Sequence, residues 1–385
     1  MSRLTQLKDS STLVAMSAGM SMAEWDRTGL ISRETGYFRH LAERVGPISF
    51  LSYGHDPLKE EELLRQHFPG ARIAWTLPRF FHWVPFGLFL GSWLPPLFPD
   101  HFRSCRLIRS HQLSGAWTGS LLAARIRVPF ILRCGFLFSE QFAREHTSLV
   151  LRRLFFLLEG QVARHADAVI VTYPGARDFF RTRHLVPEQK IHVLGNPIDT
   201  DIFKPLIAEK SRDVVTVGRL SDQKNLFSLI RAVHACGLSL TIIGEGPLEQ
   251  RLEEYIHDLK ADVTLVQPVP NRTIPEILAR HRMFVFPTFY EGNPKALIEA
   301  MACGMACIAS SIPENRNLII DGSHGLLCST GHEDIARCIR LLDNEPALME
   351  RFGSAARERI IHEYSMDNIA ERELAIHRSL LGEQS

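Results

Sequence analysis

Two carboxylates, Glu291 and Glu299, bracket the start of a helix in the stretch FVFPTFYEGNPKALIEAMACGMACIAS, residues 284–310. An apolar run stops at Pro287 and a short polar loop carries Glu291. Asn293 then has the chemistry of a helix N-cap and Pro294 that of a first helical residue. Gly304 closes the helix before the next apolar run. A helix N-terminus at the carboxyl edge of a parallel sheet binds anions, because its spare N–H groups and the positive end of its dipole point outward. A phosphate or diphosphate is the natural ligand, and Gly292 lets the backbone approach it. Glu291 repels phosphate, so it should face something hydroxylated, such as a sugar. Glu299, nearly two turns into the helix, is placed to accept hydrogen bonds from ribose hydroxyls. Both carboxylates make sense against a sugar nucleotide; two solvated glutamates on a capped surface helix are the structural alternative.

The elements that must position them alternate plainly. DVVTVG (213–218) reads as a strand and NLFSLIRAVHACG (225–237) as a helix; LSLTIIG (238–244), DVTLVQ (262–267), MFVFP (283–287) and MACIAS (305–310) read as further strands with helices between. Uniform β-α-β alternation predicts a doubly wound parallel sheet, whose ligands sit outside the carboxyl ends of the strands. At those ends stand RLSDQKN after Gly218, GEGPLEQRL, and QPVPN. Arg219 and Lys224 are two cations able to neutralise a diphosphate. Gly244 and Gly246 permit a tight turn, whether for packing or for a ligand. QPVPN offers backbone groups for a base.

VGRLSDQKN, IIGEGPLEQRL and FYEGNPKALIEAMACG, in this order, resemble the retaining nucleotide-sugar glycosyltransferases of family four, the group 1 glycosyl transferases. The junction VLGNPIDTDIF resembles the segment by which that family enters its second domain. The resemblance covers about residues 15–380. It implies an α/β fold of two facing Rossmann-like doubly wound domains with a cleft between them (the GT-B class). The domains expected are 1–200, an acceptor-binding domain, and 201–365, a donor-binding domain, with 366–385 a helix crossing back to the first. It also implies transfer of a hexosyl group from a nucleoside-diphosphate sugar to an acceptor hydroxyl with retention. Arg219 and Lys224 would bind the diphosphate, Glu291 the donor sugar and Glu299 the ribose. Gly218, Gly244, Gly246, Gly292, Asn293, Pro294, Lys295 and Ala296 would complete the donor site. Glu291, Arg219 and Lys224 would act in catalysis. A sugar-nucleotide epimerase or phosphorylase on the same architecture, or a non-catalytic sugar-nucleotide-binding partner, are the competing readings.

The first half is less regular. Segments 48–53, 72–77, 104–111, 129–134 and 167–173 read as strands, and 33–45 and 147–164 as amphipathic helices. His111 ends one strand. VPFILRCGFLFS matches a segment where many relatives carry a histidine before the glycine; here Cys134 precedes Gly135 and follows Arg133, a candidate anion ligand. Near the start, Thr28, Gly29 and Arg33 resemble part of a first-domain loop and helix near the donor. Asp199 and Asp201 form an Asp-x-Asp, but they sit in the junction without further oxygen ligands, so no metal and no cofactor is expected.

Bulk composition fits this reading. The chain has 385 residues, 45% of them hydrophobic and 23% charged, with a net charge of +1, which argues against nucleic acid as a partner. Residues 1–205 are net basic and the remainder net acidic. Seven cysteines without ligand spacing suggest buried thiols in a reducing cytosol, and the first residues lack the apolar core of a secretory signal. From Phe80 to Pro99 no residue carries a fixed charge, yet Pro85, Pro95, Pro96, Gly87 and Gly91 interrupt it. A broken interfacial helix rich in Phe and Trp, or a core segment, is expected rather than a span. With Arg103, Arg106 and Arg109 following, it suggests an anionic membrane surface as a partner, a peripheral place on the cytoplasmic face, and a lipid-linked saccharide as acceptor in polysaccharide or lipopolysaccharide assembly.

Overall fold

The computed structural model describes residues 11–76, 95–145 and 147–383. They form two compact units, one ending at Gly195 and regaining the chain from Asp367, the other spanning Asn196–Met366. The first unit runs β1 (Ser11–Ala15), α1 (Met22–Arg27), α2 (Ile31–Val45), β2 (Ile48–Leu51), α3 (Pro57–His67), β3 (Arg72–Trp75), β4 (Cys105–Ser110), α4 (Leu113–Ile126), β5 (Phe130–Cys134), α5 (Phe138–Glu145), α6 (Leu149–His165), β6 (Ala168–Val171), α7 (Pro174–Arg183) and β7 (Ile191–Val193). The second runs β8 (Arg212–Val217), α8 (Leu226–Ala235), β9 (Leu240–Ile243), α9 (Glu249–Leu259), β10 (Val263–Val266), α10 (Ile274–Ala279), β11 (His281–Phe286), α11 (Lys295–Ala302), β12 (Ala306–Ser310), α12 (Pro313–Leu318), β13 (Leu326–Cys328), α13 (His332–Asn344) and α14 (Pro346–Tyr364). A last helix, α15 (Met366–Leu381), returns to the first unit.

Each unit carries one wholly parallel sheet, ordered β3-β2-β1-β4-β5-β6-β7 in the first and β10-β9-β8-β11-β12-β13 in the second. This is the doubly wound α/β class the alternation predicts. Strands such as AVIV of β6 and LTII of β9 are buried along their whole length, because helices cover both faces. The pleat sorts neighbours to opposite sides. Val214, Met283, Val285 and Ile308 enter one apolar layer of the second unit, while Val215, Phe284, Phe286 and Cys307 enter the other.

In both sheets the winding reverses at one place: between β1 and β4, and between β8 and β11. The strand ends there leave a crevice that no crossover covers. Ala15 pairs with Ser110 at the first reversal, and Val215 with Phe284 at the second.

Sequence periodicity locates α2 and α6 within two residues, but three short strands, β1, β7 and β13, emerge only in the structure. Of the apolar stretch Phe80–Pro99, the aromatic residues Phe80, Phe81, Trp83, Phe86, Phe89 and Trp93 lie outside the described residues. Its end is described: Pro95–Leu97 forms a 3-10 turn and Phe98 stacks on Trp75 with ring centroids 5.6 Å apart. Among the described residues no helix is long and apolar enough to cross a membrane.

Candidate functional site

At the β8/β11 reversal three loops meet. The loop after β8 enters a 3-10 turn at Asp222–Lys224 and passes through Asn225 in the left-handed region, with φ 54°. Asparagine tolerates that conformation better than most residues. Its side-chain Nδ2 donates to the carbonyls of Pro287 (3.0 Å) and Thr330 (2.9 Å), tying this loop to the one after β11. Gln223 adds a second tie, Nε2 to the Tyr290 carbonyl at 2.7 Å, while its own carbonyl accepts from the N–H of Phe289. Neither residue stood out in the sequence, because their role is to hold two loops whose adjacency only the sheet order creates.

These ties bring Lys224 to Glu291. Lys224 Nζ donates to Glu291 Oε1 at 2.6 Å, with both side chains largely buried, and the ammonium also lies 4.8 Å from the Phe286 ring centroid. Burial pushes the Glu291 carboxyl above the ordinary range, and Lys224 and a hydrogen bond from Thr288 oppose that shift. The repulsion expected between Glu291 and a phosphate is therefore offset within the protein. Arg219, by contrast, is exposed and has no ion-pair partner among the described residues.

The helix bearing Glu299 starts one residue later than expected. Pro294, not Asn293, takes the cap position with φ −75° and ψ 82°, and its carbonyl accepts from Leu297 (3.0 Å) and Ile298 (3.1 Å). A residue preceding proline is driven out of the helical region, so Asn293 stays in the loop. No side chain caps the first turn. The N–H groups of Lys295 and Ala296 lie ahead of the first intrahelical bond, from Leu297 N–H to the Pro294 carbonyl. Glu299 is buried in α11, and its Oε1 accepts from Asn271 Nδ2 at 3.0 Å. Asn271 ends QPVPN, the segment credited with backbone groups alone, so its side chain is a candidate that sequence spacing missed.

The two glycines after β9 hold the floor of the site. Gly244 has φ 150° and Gly246 φ 159°. A Cβ on Gly244 would lie 2.0 Å from the Gly218 carbonyl oxygen, and one on Gly246 2.4 Å from that of Leu220. The loops interlock through Leu220 N–H to the Glu245 carbonyl (2.9 Å) and Leu248 N–H to the Leu220 carbonyl (3.1 Å). Close backbone packing is thus a sufficient reason for both glycines. Asp199 Oδ1 accepts from the N–H groups of Asp201 and Ile202, a local turn.

Of the first unit's candidates, His111 stands at that unit's own reversal. His111, whose N–H bonds the Ala15 carbonyl, lies 3.2 Å through Nδ1 from Ser17 Oγ and 3.2 Å through Nε2 from Glu34 Oε2. Arg33 donates to the same Glu34 at 3.0 Å. Gly135 N–H donates to Gln112 Oε1 at 2.8 Å, and a Cβ there would have to displace that side chain. Gly29 (φ 68°) is exposed and turns the chain after Thr28, whose hydroxyl donates to the Glu24 carbonyl. Cys134 is buried, and burial pushes its thiol well up, so it is no nucleophile. Arg133 points to a different role. It is buried beside Arg109, and burial first, then Arg109, pull its pKa down. Arg109 itself pairs with Glu373 of α15, which also accepts from the Tyr37 hydroxyl at 2.5 Å. Arg133 therefore belongs to an interior charge cluster rather than to an exposed anion site.

The family model for glycosyl transferases group 1 matches residues 197–359, and that for Glycosyltransferase Family 4 matches residues 37–202. The alpha-maltose-1-phosphate synthase of Mycolicibacterium smegmatis is 30% identical over 254 residues, 58% of this chain and 66% of that protein. That of Mycobacterium tuberculosis is 30% identical over 56% of this chain and 64% of its own length, so the chain spans just under two thirds of these relatives. The UDP-Gal:alpha-D-GlcNAc-diphosphoundecaprenol alpha-1,3-galactosyltransferase of Escherichia coli is 26% identical over 68% of this chain and 72% of that protein. Among solved structures, sucrose-phosphate synthase from Thermosynechococcus elongatus superposes with TM-score 0.77 at 19% identity, covering 97% of this chain and 100% of that one. Anabaena Alr3699/HepE in complex with UDP gives 0.76 at 16% identity, covering 96% and 100%. At such identities these likenesses show a shared fold.

Proposed function

We propose that this chain, which belongs to the group 1 glycosyl transferases of family four and shares their GT-B fold, moves a hexosyl group from a nucleoside-diphosphate sugar to an acceptor hydroxyl with retention. The observation that carries the reading is the Lys224–Glu291 pair held beside the uncapped start of α11, with Arg219 exposed at the same sheet edge. The difficult event is breaking the bond between sugar and diphosphate, when charge builds on the leaving phosphate. Arg219, Lys224 and the first-turn N–H groups of α11 are fixed donors where that charge develops, so little reorganisation is needed. Glu291, held by Lys224, faces the donor sugar, and Glu299, oriented by Asn271, accepts from the ribose hydroxyls. The diphosphate takes the proton of the attacking hydroxyl, so no protein nucleophile and no metal are required. The lipid-linked acceptor in the name of the Escherichia coli relative supports a lipid-linked saccharide here, used in polysaccharide or lipopolysaccharide assembly by a peripheral protein on the cytoplasmic face.

The test is incubation of the purified protein with labelled UDP- and GDP-hexoses and a membrane extract. Label should pass to lipid with the anomeric configuration unchanged by NMR. Tight nucleotide binding without turnover would instead identify a sugar-nucleotide-binding partner of a transferase, and an altered free sugar nucleotide would identify an epimerase.

A further inference from the structure

We propose that the N-terminal half of α6 docks the protein on an anionic membrane surface. The inference rests on the lipid-acceptor reading above and gives it a place on the molecule. Leu149 and Val150 are 76% and 78% exposed, and Leu151, Leu154 and Leu157 of the same helix are also exposed. Large apolar side chains scattered singly over a surface need no explanation, but five within three helical turns are a patch. The helix is pinned by its other side. Phe155 packs against Phe142 of α5 with centroids 4.4 Å apart, and Phe156 against His184 at 4.4 Å. The apolar stripe therefore faces away from the unit's own interior.

Charge selects the occupant. Leu149, Arg153 and Leu157 stand at i, i+4 and i+8, so one ridge carries an arginine between two leucines. Arg153 is exposed. The only carboxylate of the helix, Glu159, is buried, where it accepts from the Ser139 hydroxyl and from the N–H of Phe138 at 3.1 Å and lies 3.1 Å from His184 Nε2. Its exposed face thus carries leucine, valine and arginine without a negative side chain. Pairing of two copies through α6 itself would set Arg153 against an identical helix face with no exposed carboxylate to meet it. A bilayer leaflet with anionic headgroups satisfies both demands: the leucines enter the acyl boundary, and the arginine stem lies along them with its guanidinium at the phosphates. Ser148 caps the first turn, its Oγ accepting from the N–H of Leu151 at 3.4 Å, so the helix is formed before it meets the surface.

Flotation with vesicles of phosphatidylglycerol and phosphatidylethanolamine tests this, with phosphatidylcholine vesicles as the control. The full-length chain should float with the first and much less with the second. Leu149→Ser, Val150→Ser and Leu157→Ser together should lower vesicle partitioning by about tenfold or more, without lowering the melting temperature, because all three side chains are exposed. Arg153→Glu should reduce the preference for anionic vesicles while leaving the apolar face intact. Unchanged flotation of the triple-serine variant, or absence of flotation by the wild type, overturns the proposal. So does a wild-type dimer that the same three substitutions dissociate, since the face then pairs copies. Flotation needs neither donor nor acceptor, so vesicle binding with no transfer to lipid would sink the acceptor reading and leave the docking face standing.

Discussion

Lys224 Nζ lies 2.6 Å from Glu291 Oε1, although the two residues are 67 positions apart in the chain. In the proposed function the pair divides the labour: Lys224 would answer the leaving diphosphate, and Glu291, held by Lys224, would face the donor sugar.

The two cations should therefore fail differently. Lys224→Ala and Arg219→Ala should each lower turnover by roughly tenfold to a thousandfold, the scale of one preorganised transition-state contact. Lys224→Ala should also lower the melting temperature, since it strips a buried carboxylate of its partner, whereas the exposed Arg219 should be silent in that measurement. Thermal melts beside initial rates decide this; undiminished rates in both variants would place the diphosphate elsewhere.

Turnover should also fall on the acid side at a pH above the ordinary carboxylate range. Burial raises the Glu291 carboxyl, and on taking a proton it releases Lys224. Glu291→Gln should lower the rate and remove that limb from the pH profile. A limb that survives the substitution belongs to another group.

Nucleotide binding should separate the carboxylates. Calorimetry with the free nucleoside diphosphate should show Glu299→Ala weakened and Glu291→Ala close to wild type. Asn271→Ala should resemble a milder Glu299→Ala, because it removes the 3.0 Å bond that orients that carboxylate. Equal losses at positions 291 and 299 would contradict the assignment.

Chelation should leave the rate unchanged. If EDTA abolished activity and magnesium restored it, Asp199 and Asp201 would regain their claim as metal ligands.

Glu373→Gln should destabilise the first unit by about 3–5 kcal/mol at neutral pH, because Arg109 is left buried without its counter-ion. The sign of the pH dependence follows from the folded state. Burial raises the Glu373 pKa, but Arg109, His377 and Arg133 outweigh it and hold the carboxyl far below the ordinary range. Its contribution is then complete above the unfolded glutamate value and drains away as pH falls below it. Denaturant midpoints of wild type and variant should converge in acid; a constant gap would mean the carboxylate is not the source.

The second unit was largely legible because its strands are apolar, its helices are amphipathic, and glycines punctuate them. Glu291, Glu299, Arg219 and Lys224 could be placed toward one sheet edge from the β-α-β alternation alone. Their partners could not. Asn271, on the segment after β10, is 28 residues from Glu299, and Gln223 is 67 from Tyr290, a pair that only the register of β8 beside β11 joins. The first unit hid more. Its inner strand β1, STLVA, begins with two hydroxyl residues and is only five residues long, too short for a period to show. Arg133 read as a ligand because nothing local reveals that Arg109 and a carboxylate 264 positions from Arg109 share its interior.

That last carboxylate bears on how the chain is made. A ribosome delivers β1 to β7 first, yet Arg109 and Tyr37 have no Glu373 to meet until α15 has left the exit tunnel. The second unit spans Asn196–Met366, so its own residues are all made before that helix is complete. The unit synthesised first is thus the unit completed last, and until then Arg109 has no Glu373 to pair with.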